Sequence, residues 1–403
     1  MAQAPATHHP PTLRRIVDRA LAGEALTATD GYALIHTGGA ELAYLMSAAT
    51  ELGESVRPQH YVTYSRKVFL PLTNLCRDRC GYCTFVKGPH QRGAHTMTPD
   101  EVLVVSRRGA ELGCKEALIS LGDHPELRHP EMAATLHDLG YASTPEYVAA
   151  ISELVLRETG LLPHTNCGTL TPDELAPIAA WNPSMGIMLE SASMRLHGPG
   201  GPHHGTATKD PALRIATLDA TGEAGVAMTT GILIGIGETP DERVDALIAI
   251  RDVHRRYGNI QEVIVQNFRA KSATRMHGAP EPSTVDMLRT LATARLALGA
   301  EMNIQAPPNL NADGAQSYLL AGINDWGGVS PLTKDFINPE AAWPQVSRLR
   351  AMTAEAGYEL RERTALYPQY VRDARWHVSS AVRRRLDELT DDDGLVRREL
   401  EVV

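Results

Sequence analysis

An α/β fold, with eight parallel strands each followed by a helix and closed into a (β/α)8 barrel, is predicted by three features of this 403-residue chain. Short apolar or β-branched runs recur between helix-length segments. The tetrapeptide Thr-Pro-Asp-Glu opens three of those segments, and a glycine closes six of them. Periodicity alone also allows an open sheet of six strands with extra elements.

Residues 1–60 read as a helical N-terminal extension. The first ten, Met1 to Pro10, carry neither a basic n-region nor an apolar h-region, so they do not read as a signal peptide. Residues 61–340 hold the predicted strands: Val68 to Leu72, Ala117 to Leu121, Leu161 to Thr165, Met185 to Leu189, Val226 to Ile236, Glu262 to Phe268, Asn303 to Ala306 and Asp325 to Ser330. In Thr98-Pro99-Asp100-Glu101, Thr171-Pro172-Asp173-Glu174 and Thr239-Pro240-Asp241-Glu242, Thr is placed to cap a helix. Pro then takes the first helical position and Glu completes a capping box. The helix-length segments stop at Gly113, Gly160, Gly225, Gly258, Gly299 and Gly322, as a left-handed C-terminal residue requires. Arg195 to Asp210, with Gly198-Pro199-Gly200-Gly201-Pro202 and three histidines, reads as a long loop placed to lid a site. Residues 341–403 read as helical cover ending in a charged tail.

Hydrophobic residues make up 43% and charged residues 22%, an ordinary globular balance. The net charge of -9 argues against a nucleic-acid or anionic-membrane partner, since both reward clustered Lys and Arg. No run of 18 apolar residues is present to cross a bilayer. Five cysteines, three of them clustered, suit a reducing cytoplasm better than a disulfide framework.

That cluster is the run Cys76-Arg77-Asp78-Arg79-Cys80-Gly81-Tyr82-Cys83, directly after the first predicted strand. Thiolates are soft ligands that select iron–sulfur clusters, zinc or copper(I). A structural zinc site wants four ligands, and no second C-x2-C pair follows; His90 lies at no usual zinc spacing. Thr84 after Cys83 excludes a c-type haem motif. Three thiolates on a cluster that wants four leave one iron open to chemistry.

In a parallel barrel, function gathers at the C-terminal strand ends. The polar residues falling there include His164, Asn166, Gln266, Asn267, Arg269, Gln305, Asn309 and Ser330. Converging on one mouth they suit a small polar substrate, although any one of them also reads as a tie between strands. His164, which titrates near neutrality, and Arg269, which holds a fixed charge, are the candidates for catalytic contact or proton transfer. Asn166, Gln266, Asn267, Gln305, Asn309 and Ser330 are the candidates for substrate binding. Cys114 reads as packing, and Cys167 as either packing or site.

The motif C-x3-C-x-aromatic-C, with Tyr82 as the aromatic, resembles that of the radical S-adenosylmethionine (SAM) enzymes. The resemblance implies a TIM-type radical SAM barrel with Cys76, Cys80 and Cys83 on a 4Fe-4S cluster. SAM would chelate the open iron, and a 5'-deoxyadenosyl radical would abstract a hydrogen atom. Leu121-Gly122-Asp123 resembles in part the family's Gly-Gly-Glu element, placing Gly122 and Asp123 at the SAM amino group, although alone it reads as a turn. Glu190, at a strand end, suits the SAM ribose or methionine part, or else a helix cap. Gly231 to Glu238 resembles the family's G-x-I-x-G-x-x-E element near the adenine, giving Gly231, Gly235 and Glu238 cofactor roles. It is not a dinucleotide fingerprint, because its glycines do not open a helix.

A finer resemblance covers residues 60–370. Val62 to Phe69, Gly113 to Ala117, Val263 to Ala270, Gln305-Ala306-Pro307-Pro308-Asn309 and Asp325 to Pro331 are similar to the CofG type of deazaflavin (FO) synthase and to the N-terminal half of its fused actinobacterial form. That implies a carbon–nitrogen lyase cyclising a hydroxybenzyl–ribityliminouracil adduct with loss of ammonia. A separate CofH-type radical SAM protein would supply the adduct, because no second C-x3-C-x2-C follows, and ferredoxin or flavodoxin would supply electrons. The runs His164 to Gly168 and Val86-Lys87-Gly88 depart from the family pattern. They leave open a paralogue acting on another nucleoside-like or aromatic substrate. A non-catalytic iron–sulfur electron-transfer protein is the alternative of another class.

Overall fold

The computed structural model describes residues 12–402 apart from 58 and 377, so the Met1 to Pro10 reading lies outside the described residues. The strands are β1 (Tyr61–Thr73), β2 (Glu116–Leu121), β3 (Leu162–Asn166), β4 (Ser184–Gly186), β5 (Ala227–Ile234), β6 (Ile260–Asn267), β7 (Ile304–Gln305), β8 (Asp325–Val329) and β9 (Glu359–Glu362). Neighbouring strands run parallel in the order β2 to β8, then β1, and a further β1–β2 pairing closes the barrel.

β1 is long enough to serve three partners. Lys67 to Thr73 pair with β2, Thr63 to Arg66 with β8, and Tyr61 to Tyr64 with β9. Its residues alternate as a two-sided strand must. Val68, Leu70 and Leu72 are fully buried under the surrounding helices. Lys67 and Phe69 face the barrel interior.

The expected helix starts form as capping boxes at Thr98/Glu101, Thr171/Glu174 and Thr239/Glu242, opening helices Pro99–Glu111, Pro172–Ala179 and Pro240–Tyr257. Two helices, Pro130–Leu139 and Thr144–Thr159, fill the β2–β3 crossover. The N-terminal helices Leu13–Leu21, Ala28–Ile35 and Gly39–Glu54 pack on helices Pro240–Tyr257 and Thr284–Leu298.

The C-terminal segment departs from the expected helical cover. Besides helices Val346–Glu355, Pro368–Arg372 and Ser380–Leu389 it supplies β9, so it completes the sheet at the N-terminal end of β1. Arg363, immediately after β9, enters the barrel and makes two hydrogen bonds of 2.6 and 2.9 Å to the Asp325 carboxylate. Periodicity missed this strand because Glu359-Leu360-Arg361-Glu362 is mostly charged.

Candidate active site

The cysteine run leaves β1 at the C-terminal mouth, where Cys76, Cys80 and Cys83 line an outer cavity of about 240 Å³. Two backbone N–H groups, of Asp78 and Asp123, donate to Cys76 Sγ at 3.3 and 3.2 Å. Gly122 lets the end of β2 reach that loop: a Cβ there would stand 1.9 Å from the Leu75 carbonyl oxygen and 2.6 Å from Cys76 Cβ. Burial pushes the Cys76 thiol up to about 12 and the Cys80 thiol up to about 11, so ionisation needs a cationic partner. A buried Cys76 sulfur with two N–H donors aimed at it is the kind of surrounding a thiolate-bound cluster uses to tune its irons. Among the described residues no three Cys, His, Asp or Glu side chains gather round one ion. Thiolates that each take a different iron of a cluster need no such point, so the three cysteines fit the group.

The segment Arg195 to Asp210, expected as a long loop over the site, is fastened to the cysteine loop. Gly81 N–H donates to the Pro202 carbonyl at 2.7 Å, and the Asp78 carboxylate accepts both the N–H and the hydroxyl of Thr208. Tyr82 Oη lies 3.1 Å from His203 Nε2. Lys209 Nζ meets Glu190 at 2.6 Å inside the outer cavity. Glu190 has a left-handed backbone (φ 66°), a strained state for a non-glycine residue and one that clusters at functional sites.

Below the outer cavity lies an inner chamber of about 190 Å³. The two share Ser120, Asn166, Met188, Gln266, Ile337 and Asn338, so they are contiguous. Inward-facing strand residues form its layers. Lys67 pairs with Glu116 at 2.6 Å, the Thr229 hydroxyl donates to Glu262 at 2.8 Å, and Arg363 lies 3.6 Å from Glu262. Burial raises the Glu262 carboxyl above the ordinary range. His164 lines the chamber with Nδ1 2.8 Å from Ser184 Oγ. Burial, helped by Lys67 and Arg363, pulls it down to about 4, so it is neutral near pH 7.

The other expected site residues divide. Asn166 and Gln266 line both cavities, Gln305 lines the chamber, and Asn267 lines the outer cavity with a buried Oδ1 that has no partner among the described residues. Arg269 stands at the outer rim, 42% exposed and paired with Glu281 at 3.0 Å, so its charge is committed away from the chamber. The Asp123 carboxylate lines the outer cavity but is consumed by Arg77 (2.7 Å), His124 (2.9 Å) and the Thr169 N–H (2.8 Å). Burial opposes its ionisation, but these partners hold it at about 2. These contacts tie the cysteine loop to the end of β2 and to the loop after β3.

Glu238 is likewise withdrawn: it accepts from the Gly235 and Ile236 N–H groups and pairs with buried Arg243 at 2.7 Å. Gly231 is needed by the sheet, since a Cβ would meet the Ile264 carbonyl at 2.1 Å. Asn309 holds Asp335 at 3.1 Å, and Ser330 caps the turn to Thr333, whose hydroxyl accepts the Phe69 N–H at 2.9 Å. These two position the chamber wall. Cys167 is buried in packing. Residue-type reasoning missed Lys67, Phe69, Glu116, Glu262, Lys209, Trp343 and Arg363; strand alternation from Ser65 through Lys67 to Phe69 was the signal for the first two.

A parallel barrel with a three-thiol loop at its mouth defines the radical SAM class, and the model of the Radical SAM superfamily matches residues 70–249. Enzymes of that superfamily use a 4Fe-4S cluster and SAM. The chain is 47% identical over 336 residues to the 7,8-didemethyl-8-hydroxy-5-deazariboflavin synthase of Methanopyrus kandleri, covering 83% of this chain and 100% of that one. It is 46% identical over 401 residues to the FO synthase of Streptomyces coelicolor, covering 97% of this chain and 46% of that one. The FO synthase of Mycobacterium tuberculosis H37Rv is also 46% identical, over 403 residues. The chain belongs to the 7,8-didemethyl-8-hydroxy-5-deazariboflavin synthase family, and it spans about half the length of the FO synthases it matches. Among solved structures, the hydrogenase maturase HydG (TM-score 0.71, 16% identity, 90% of this chain and 78% of that one) shares the fold. So does methylornithine synthase PylB (TM-score 0.67, 16% identity, 86% and 97%).

Proposed function

We propose that this chain is the radical SAM lyase that cyclises 5-amino-5-(4-hydroxybenzyl)-6-(D-ribitylimino)-5,6-dihydrouracil to 7,8-didemethyl-8-hydroxy-5-deazariboflavin (FO) with loss of ammonia, in deazaflavin coenzyme biosynthesis. The observation that carries the reading is the 47% identity along the whole length of the Methanopyrus kandleri synthase, joined to a cysteine-lined mouth that opens into a polar chamber. Cys76, Cys80 and Cys83 would hold the cluster, and Tyr82, Gly122, Glu190 and Asn267, which line the outer cavity, would hold SAM. When bound there, cluster and SAM supply a 5'-deoxyadenosyl radical for hydrogen-atom abstraction.

The chain's own residues do the rest. Glu190 and Lys209 offer paired charges to the polar parts of the cofactor, while Asn166 and Gln266, at the shared wall, orient the substrate below it. A separate CofH-type protein supplies the adduct, and a reduced ferredoxin or flavodoxin supplies the electron, in the cytoplasm. Among the described residues no helix is long and apolar enough to cross a membrane.

The test is an anaerobic assay of the cluster-reconstituted protein with SAM, a strong reductant and the adduct, following 5'-deoxyadenosine and deazaflavin fluorescence together. Both should rise, and both should vanish in Cys80→Ala. Deoxyadenosine without fluorescence would overturn the substrate.

A further inference from the structure

The inner chamber has two chemically different ends. Against one wall Phe69 stacks on Trp343, with ring centroids 5.0 Å apart and planes within 15° of parallel, and Phe336 also lines the chamber. Trp343 Nε1 is buried and has no partner among the described residues, so an unused donor sits at an aromatic surface. At the floor are charges and donors: Lys67, Glu116, Glu262 and Thr229. Lys67 and Phe69 are successive inward residues of β1, so floor and wall are offset by about 7 Å. That offset suits two ring systems joined through a single carbon.

His164 adds an acceptor of defined identity. The Ser184 hydroxyl donates to the Ala365 carbonyl at 2.6 Å, so toward His164, 2.8 Å away, it offers only a lone pair. The ring proton therefore sits on Nδ1 and Nε2 is bare. Nε2 makes no hydrogen bond among the described residues.

We infer that the chamber binds its substrate in one orientation, with a phenolic ring on Phe69, Trp343 and Phe336 and a polyhydroxylated pyrimidine on the floor, where His164 Nε2, Glu262 and Lys67 meet its donors and acceptors. This rests on the deazaflavin reading and deepens it. The carbon joining the two ends then lies beneath Ser120, Asn166 and Gln266, where the chamber opens to the cysteine side.

Calorimetric titration of the cluster-loaded, SAM-saturated protein with two probes, 5-amino-6-ribitylaminouracil and 4-hydroxybenzyl alcohol, separates the ends. Glu262→Gln should weaken the ribitylaminouracil roughly tenfold or more and leave the phenol within about twofold; Phe69→Leu should do the reverse. If Glu262→Gln does not fold, Thr229→Val tests the same floor with nearly unchanged side-chain size. Both variants weakening both probes alike, or the opposite pattern, would overturn the orientation while leaving the reaction intact. A wild-type protein that takes up cluster and SAM yet binds neither probe would overturn the deazaflavin reading and the orientation with it.

Discussion

The outer cavity is built mainly from loops and their backbone, the inner chamber mainly from strand side chains. At the mouth, N–H groups of Asp78 and Asp123 reach Cys76, and the Pro202 carbonyl holds Gly81. In the chamber the groups stand on β1, β2, β3, β5, β6, β7 and β8, on Arg363, which follows β9, and on the loop that carries Phe336 and Trp343. Backbone contacts depend little on the identity of the side chains around them; the chamber changes with each substitution. One radical-generating mouth can therefore serve many chambers, as barrel folds do when chemistry is altered at strand ends.

The largest expected effect breaks the mouth alone. Gly122→Ala drives a Cβ into the Leu75 carbonyl, so the iron and sulfide content of the reconstituted protein should fall close to zero. The far-ultraviolet dichroism of the barrel and the binding of ribitylaminouracil should persist. Loss of both together would mean that the two regions are not separable.

Arg363→Ala breaks the floor instead. It strands the buried Asp325 carboxylate and should cost about 3–5 kcal/mol in denaturant unfolding, without preventing cluster assembly in the folded fraction.

A smaller effect is set by pH. His164 is held at about 4 against an ordinary 6.5; burial, Lys67 and Arg363 oppose its charge, and Glu116 favours it. The unfolded chain therefore binds the proton first. Stability is full above about pH 6.5 and is lost as pH falls toward 4, by up to about 3 kcal/mol. His164→Asn should flatten that part of the stability profile, measured by urea titration across pH; an unchanged slope would assign it to other groups.

The smallest sharpens the seam between the cysteine loop and the Arg195 to Asp210 segment. Asp78→Asn weakens the bonds to Thr208 and should cost about 1–2 kcal/mol, seen as faster proteolysis within residues 195–210.

The same division explains what the sequence disclosed. Cysteines at fixed spacing and Thr-Pro-Asp-Glu starts are local signals, and both landed where expected: Cys76, Cys80 and Cys83 at the mouth, Thr98, Thr171 and Thr239 on their caps. Asp123, Glu238, Asn309 and Ser330 were found at the right strand ends, yet residue type does not reveal that their polar groups are already spent on neighbours. Lys67 with Glu116, and Arg363 with Asp325, were hidden for another reason. Each pair is far apart in sequence and each member taken alone reads as a solvated charge, so only closure of the barrel makes it a floor.

Because β9 and Arg363 finish the base of the barrel, the order of synthesis matters. Tyr61 to Tyr64 are made nearly 300 residues before their partners Glu359 to Glu362, and until then this edge of β1 has exposed hydrogen-bonding groups and Asp325 has no counter-ion. A nascent chain on the ribosome must carry that open base through most of its translation, so the barrel cannot close on a complete floor until Glu359 to Arg363 emerge.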